Sequence, residues 1–141
     1  EPFYDAPEFV LNNEVTAYLC KSAVKASIRL DAKAVIADTT SGKTIRSISS
    51  YRGNKPVYAQ CYSRKTMRKL QLSYGVFTDF MKPRSTSHDF LKSSISNLKQ
   101  YHHFKDEDLV VVIAGNFGRS AGATYIEIGS LENLLGASDV I

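Results

Sequence analysis

Thr39-Thr40-Ser41-Gly42-Lys43-Thr44 is the stretch of this chain whose residue types and spacing best suit chemistry. Thr39, Thr40, Ser41 and Thr44 bring hydroxyls, and Lys43 brings a full positive charge. Gly42 lets a ligand approach the backbone closely. The run sits between an apolar strand pattern, AVIA, and a helical one, IRSISSYR. A helix N-terminus leaves backbone N–H groups unpaired and carries partial positive charge, so the set suits a bound anion, most simply a phosphate. A plainer reading needs no ligand: Thr39 to Ser41 only cap the helix, as Ser and Thr commonly do. Both readings stay open at this point.

A second Gly/Ser loop, GNFGRSAGA, follows the most apolar strand and offers Gly118, Arg119, Ser120 and Gly122. In an open α/β sheet, ligands sit outside the carboxyl ends of the strands. Two loops that each follow a parallel strand open on one rim. If their strands are neighbours, both loops can close on one ligand.

Other chemistries fit less well. Ala37 to Thr44, ADTTSGKT, satisfies a loose phosphate-loop pattern with Ala in place of the first Gly. A nucleotide-hydrolysing enzyme of that kind also needs an acid at a strand end to hold magnesium. Strand 4 ends in Ala114-Gly115-Asn116 and strand 2 in Gln60-Cys61, with no acid at either. Cys61 has no histidine with an evident route to it. His102 and His103 close a helix, where a protonated histidine suits the dipole. Adjacent helical residues point about 100° apart, so the pair makes a poor metal site. His88 reads as a start-of-helix residue, and Asp38 as a group that caps or orients the loop. No catalytic residue and no metal-ligand set is identified.

The elements that must position these loops follow from periodicity. Residues 1–12 read as an arm or linker remnant and residues 13–141 as one domain. A helix is expected from about Asn13, capped by Asn12 or Asn13, with Val15, Tyr18, Leu19, Ala23, Ala26 and Leu30 on one side. Strand 1 is expected over Ala34 to Ala37, helix 2 over Lys43 to Tyr51, and strand 2 in PVYAQC. Helix 3 is expected over Ser63 to Tyr74, strand 3 in GVFTDF, and helix 4 over His88 to His102. LVVVIAG has the near-continuous branched character of a central parallel strand. TYIEIG follows with too short a connection for a parallel crossover, so it should run antiparallel at an edge. SLENLL closes the chain as a short helix. The expected fold class is α/β: a single three-layer domain, with a mostly parallel five-stranded sheet, an antiparallel last strand and helices on both faces.

The bulk properties narrow the setting. At 141 residues, 43% hydrophobic and 23% charged, the chain has the composition of an ordinary globular domain. It has no apolar run near the roughly 20 residues of a membrane helix and no signal-peptide core. Cys20 and Cys61 make neither a disulfide framework nor a metal spacing. A reduced, cytoplasmic setting is expected, with no membrane partner. The net charge is +4. The tract Arg64, Lys65, Arg68 and Lys69 paints one solvated helix face, too small a footprint for nucleic acid.

Several strings in order add a family resemblance. They are Ser41 to Thr44, Tyr51-Arg52, Pro56 to Ala59, Arg68-Lys69-Leu70-Gln71-Leu72 and Gly75-Val76-Phe77. The string HDFLKSSISNLKQYHHFKDEDLVVVIAGNFGRSAGAT follows. Together they strongly resemble the C-terminal α/β domain of pyruvate kinases, over about residues 14 to 129. Arg52 is followed by Gly53 where that family usually has proline. The resemblance implies a glycolytic parent that transfers phosphate from phosphoenolpyruvate to ADP. In that family catalysis, magnesium and potassium belong to a barrel domain, so no cofactor is expected in this one. The implied partners are that catalytic barrel, further copies in a tetramer, and a phosphorylated effector. Thr39 to Thr44 match the family's effector-phosphate loop position by position, and Gly118 to Gly122 match its effector-closing loop. A stand-alone domain of the same fold with its own phosphorylated ligand is the alternative, and a phosphate-loop NTPase a further one. The start at Glu1, without an initiator Met, points to a piece of a longer protein.

Overall fold

Ala34, Ile36, Val110, Val112 and Ala114 turn one way from their strands, and Val35, Ala37, Val111 and Ile113 turn the other. All are buried, so β1 and β4 are apolar on both faces and need helices on each side. The computed structural model describes residues 6–51, 53–83, 86–115 and 123–139. Its elements are α1 (Ala6–Arg29), β1 (Ala34–Thr39), α2 (Lys43–Ser50), β2 (Val57–Cys61) and α3 (Arg64–Leu70). They continue with β3 (Val76–Phe80), α4 (Ser87–His102), β4 (Leu109–Ala114), β5 (Tyr125–Ser130) and α5 (Leu131–Asp139).

The sheet order is β3-β2-β1-β4-β5. The pairings β1–β2, β1–β4 and β2–β3 are parallel, and β4–β5 is antiparallel. The expected α/β class, the antiparallel last strand and its edge position all hold. Strands 1 and 4 are neighbours, with Ala37 opposite Ile113, which is the condition for their two loops to share a rim.

The core has two halves. On one face, Cys20, Ala23 and Val24 of α1, Ile45 and Ile48 of α2 and Leu70 of α3 pack on the sheet. On the other, Phe90, Leu91, Ile95 and Leu98 of α4 join Leu131 and Leu134 of α5. Each of the Val, Leu, Ile and Phe side chains among them contributes about 1.5–3 kcal/mol on full burial.

α5 runs on to Asp139, past the expected SLENLL, and three further boundaries differ from expectation for a physical reason. α1 begins at Ala6, not near Asn13, so residues of the expected arm from Ala6 onward are helical. Pro7 falls in its first turn, where no N–H is required. α3 stops at Leu70, short of Tyr74. Leu70 is its last buried residue, whereas Leu72 and Tyr74 stand 91% and 103% exposed, so nothing holds a further turn against the sheet. β1 runs two positions past Ala37, because Asp38 and Thr39 pair with Gln60 and Cys61.

Candidate functional site

β1 delivers Thr39 to the carboxyl rim of the sheet, and α2 starts at Lys43. The turn between them is built from inward-facing groups. The buried Thr39 hydroxyl accepts the Gly42 N–H at 2.8 Å. The Thr39 carbonyl accepts the Tyr62 N–H at 3.1 Å, and the Thr40 carbonyl accepts the Thr66 hydroxyl at 2.7 Å. Gly42 is the N-cap of α2, with φ 95° and ψ −3°, a left-handed conformation that favours glycine.

The six first-loop residues therefore divide. Ser41 and Lys43 are exposed, Thr40 is half-buried, and Thr39, Gly42 and Thr44 are buried. Thr44 sits in the first turn of α2, and its carbonyl faces the Cys20 thiol at 3.8 Å. The Ser41 hydroxyl accepts the Lys43 N–H at 3.4 Å. Part of the capping reading is thus present: Thr39 and Ser41 take amides of the turn, although the N-cap residue offers no side chain. By position, the N–H groups of Thr44 and Ile45 have no intrahelical acceptor. The loop offers an exposed hydroxyl, an exposed ammonium and the positive end of a helix on one rim.

Gly118, Arg119, Ser120 and Gly122 lie outside the described residues. The stem of their loop is described. Thr124 donates its N–H to the Ala114 carbonyl at 2.8 Å, closing the two strand ends together. A Cβ on Gly115 would stand 2.2 Å from Thr124 Oγ1 and 2.6 Å from its backbone N, so this crossing requires glycine. Ala123 donates its N–H to Thr16 Oγ1 of α1 at 3.1 Å.

Asp38, expected to cap or orient the loop, bonds Tyr62, the residue whose N–H meets the Thr39 carbonyl. It lies on the α4 side of β1, fully buried, and accepts the Tyr62 hydroxyl at 2.7 Å. Strand alternation separates it from Thr39, whose side chain faces α2. Cys61 is no nucleophile: burial first, and then the charge of Asp79, push its thiol up to about 12. Burial also raises Cys20. Among the described residues no group of three or more His, Cys, Asp and Glu stands close enough to hold a metal ion. No described helix is long and apolar enough to cross a membrane. Arg64, Lys65, Arg68 and Lys69 are exposed as expected, but Arg64 lies 4.1 Å from the Phe80 ring centroid instead of standing wholly in solvent.

The sequence did not reveal a buried polar network beside the site. Asn97 Nδ2 donates to Gln60 Oε1 at 3.0 Å, and Gln60 Nε2 donates to Asp79 Oδ2 at 3.1 Å. His102 Nε2 stands 3.1 Å from both Asp79 oxygens, with the Tyr58 ring in an edge contact at 4.8 Å. His102 does occupy the last turn of α4, where the dipole favours it, but its chief partner is a carboxylate on β3. The one available signal was a polar residue inside each of two strand runs, Gln60 and Asp79. They prove to be register partners.

The family model described as pyruvate kinase, alpha/beta domain, matches residues 18–128. A pyruvate kinase of Borreliella burgdorferi is 33% identical over 123 residues, covering 84% of this chain and 25% of that protein. A pyruvate kinase of Lactobacillus delbrueckii subsp. bulgaricus is 30% identical over 124 residues, covering 87% of this chain and 21% of that protein. One from Clostridium acetobutylicum is 33% identical over 99 residues, covering 70% and 21%. The chain spans a quarter or less of the length of these relatives.

Proposed function

The chain belongs to the pyruvate kinase α/β-domain family, and on that premise we propose that it is the regulatory and assembly domain of a pyruvate kinase that binds a phosphorylated effector at the β1–α2 loop. The parent reaction is phosphoryl transfer from phosphoenolpyruvate to ADP. In this reading the reaction, with its magnesium and potassium, belongs to a catalytic barrel that is this domain's partner. The observation that carries the reading is the turn itself. Its Thr39 and Thr40 carbonyls are tied inward, while Ser41 and Lys43 stand exposed at the start of α2. In this reading Gly118, Arg119, Ser120 and Gly122, which follow the β4 segment in sequence, are the second set of effector contacts that the family resemblance implies. Self-association uses the β5 edge, where Ile128 is 43% exposed and the outer ladder can meet a second copy.

Calorimetry with fructose 1,6-bisphosphate, ribose 5-phosphate and AMP tests the site. Charge-assisted contacts to phosphate contribute about 1.5–3 kcal/mol, so Lys43→Ala should weaken binding roughly tenfold or more. Ser41→Ala and Arg119→Ala should weaken it too, and Arg64→Ala should leave it nearly unchanged. If all three ligands bind the wild type no better than Lys43→Ala, the loop is a helix cap and the domain an assembly module. Sedimentation of the same samples reads the second claim, which a monomer at high micromolar concentration contradicts.

A further inference from the structure

Thr66 touches the candidate loop with both branches of its side chain. Its hydroxyl donates to the Thr40 carbonyl at 2.7 Å, across 26 residues of chain. Its methyl lies on the side of Gly42 where a Cβ would point, 3.7 Å from that Cβ position. Thr66 is itself held. It is 6% exposed, in the first turn of α3, and its N–H meets the Ser63 hydroxyl at 3.4 Å. No residue of the loop supplies this tie; it comes from the helix after the neighbouring strand.

We propose that Thr66 is a positioning residue for the phosphate loop, a role that rests on the reading of that loop as an effector site. The physical reason lies in the peptide unit. A trans peptide is planar, so the carbonyl of one residue and the N–H of the next point in opposite directions. Fixing the Thr40 carbonyl on Thr66 therefore aims the Ser41 N–H away from α3. The Tyr62 N–H on the Thr39 carbonyl does the same for the peptide before it. An anion site needs its N–H groups outward and its carbonyls withdrawn, since a carbonyl oxygen facing a phosphate repels it. Thr66 withdraws the carbonyl nearest Ser41 and Lys43. Without the hydroxyl, the Thr40 carbonyl loses this tie, and the loop spends part of its time with an acceptor facing the ligand.

Valine and serine separate the two branches. Thr66→Val keeps the shape and deletes the hydroxyl, while Thr66→Ser keeps the hydroxyl and deletes the methyl. In the full chain, with fructose 1,6-bisphosphate as the probe, Thr66→Val should weaken binding roughly tenfold, the worth of about one hydrogen bond. Thr66→Ser should bind within about twofold of wild type, a change too small to count as a lost hydrogen bond. Equal affinity of Thr66→Val and wild type overturns the proposal while leaving the site intact. Equal weakening by both variants overturns it too, because the hydroxyl is then not the cause. Should Thr66→Val fail to fold, the wild type still decides. On titration with the probe, the Ser41 amide resonance must shift, and a fixed Ser41 amide beside shifting neighbours overturns the proposal. If the wild type binds none of fructose 1,6-bisphosphate, ribose 5-phosphate or AMP, the effector reading fails first and the role of Thr66 falls with it.

Discussion

Thr39 and Gly42 close the β1–α2 turn on each other, the Thr39 hydroxyl accepting the Gly42 N–H at 2.8 Å while Gly42 holds φ at +95°. This contact places α2 directly at the end of β1, so the helix N-terminus opens on the carboxyl rim. A strand end that is buried and a helix that must start at once leave only a short, tightly wound connection. The left-handed residue is what lets the chain reverse within it.

Gly42→Ala should therefore destabilise the fold by about 1–2 kcal/mol, the cost of a left-handed conformation for an L-residue. A Cβ there also meets Arg46 Nη1 at 2.9 Å, which is the far end of a flexible side chain and can move. The backbone cost then dominates. Adding Arg46→Ala to Gly42→Ala should recover little of the loss. Denaturant unfolding of the single and double variants checks this, and full recovery in the double would show that crowding, not backbone conformation, was the cause.

Gln60 bridges Asn97 and Asp79 with no exposure to solvent. Replacing it with leucine of similar volume leaves the half-buried Asn97 amide and the buried Asp79 carboxylate each short of a partner. An unsatisfied buried polar group costs about 1–3 kcal/mol, and more where a charge is involved. Gln60→Leu should lower stability by about 2–3 kcal/mol, at the upper part of that range. The double variant Gln60→Leu with Asp79→Leu should cost less than the sum of the two single changes, since it also removes the stranded charge. Chemical denaturation of the four proteins closes the cycle. Strict additivity would mean that the two side chains are not coupled.

Much of this architecture was legible from periodicity. LVVVIA announced a strand covered on both sides, and Phe90, Leu91, Ile95 and Leu98 announced the buried face of α4. The direction of β5 followed from the length of its connection alone. The first loop was legible as a hydroxyl-rich turn before a helix, but not which hydroxyls face inward. That depends on strand alternation at Thr39, and the inward carbonyls of Thr39 and Thr40 depend on Tyr62 and Thr66, which lie beyond β2. The start of α1 was missed because Asn12 and Asn13 look like caps, whereas Pro7 serves as a first-turn residue further back. The end of α3 was missed because Leu72 and Tyr74 extend the apolar pattern yet face solvent. Asp79 and His102 meet only through cross-strand register and the docking of α4, which no local pattern encodes.

Asp108 ties the turn before β4 to its surroundings. Burial works against its charge, but the Lys105 N–H at 2.7 Å and the Lys33 ammonium at 3.0 Å hold its carboxyl below the usual range. Lys33 in turn lies 4.4 Å from the Phe104 ring centroid, so its head is held between a ring and a carboxylate. The Asp108 carbonyl also receives the Leu131 N–H at 3.1 Å, linking the turn to the start of α5. A carboxylate whose folded value is lowered binds its proton more readily when unfolded. Its contribution is present at pH values above the ordinary carboxylate value of about 3.9, and it is lost as pH falls through the lower folded value. Asp108→Asn keeps an acceptor for Lys105 but removes the charge facing Lys33. It should lower stability at neutral pH by up to about 1 kcal/mol, the range of partly exposed ion pairs. The gap from wild type should narrow below about pH 4 and close further down, and it should shrink in high salt. Thermal unfolding from pH 7 to pH 3 measures it. A gap that stays constant over that range would assign Asp108 a role through its hydrogen bonds alone.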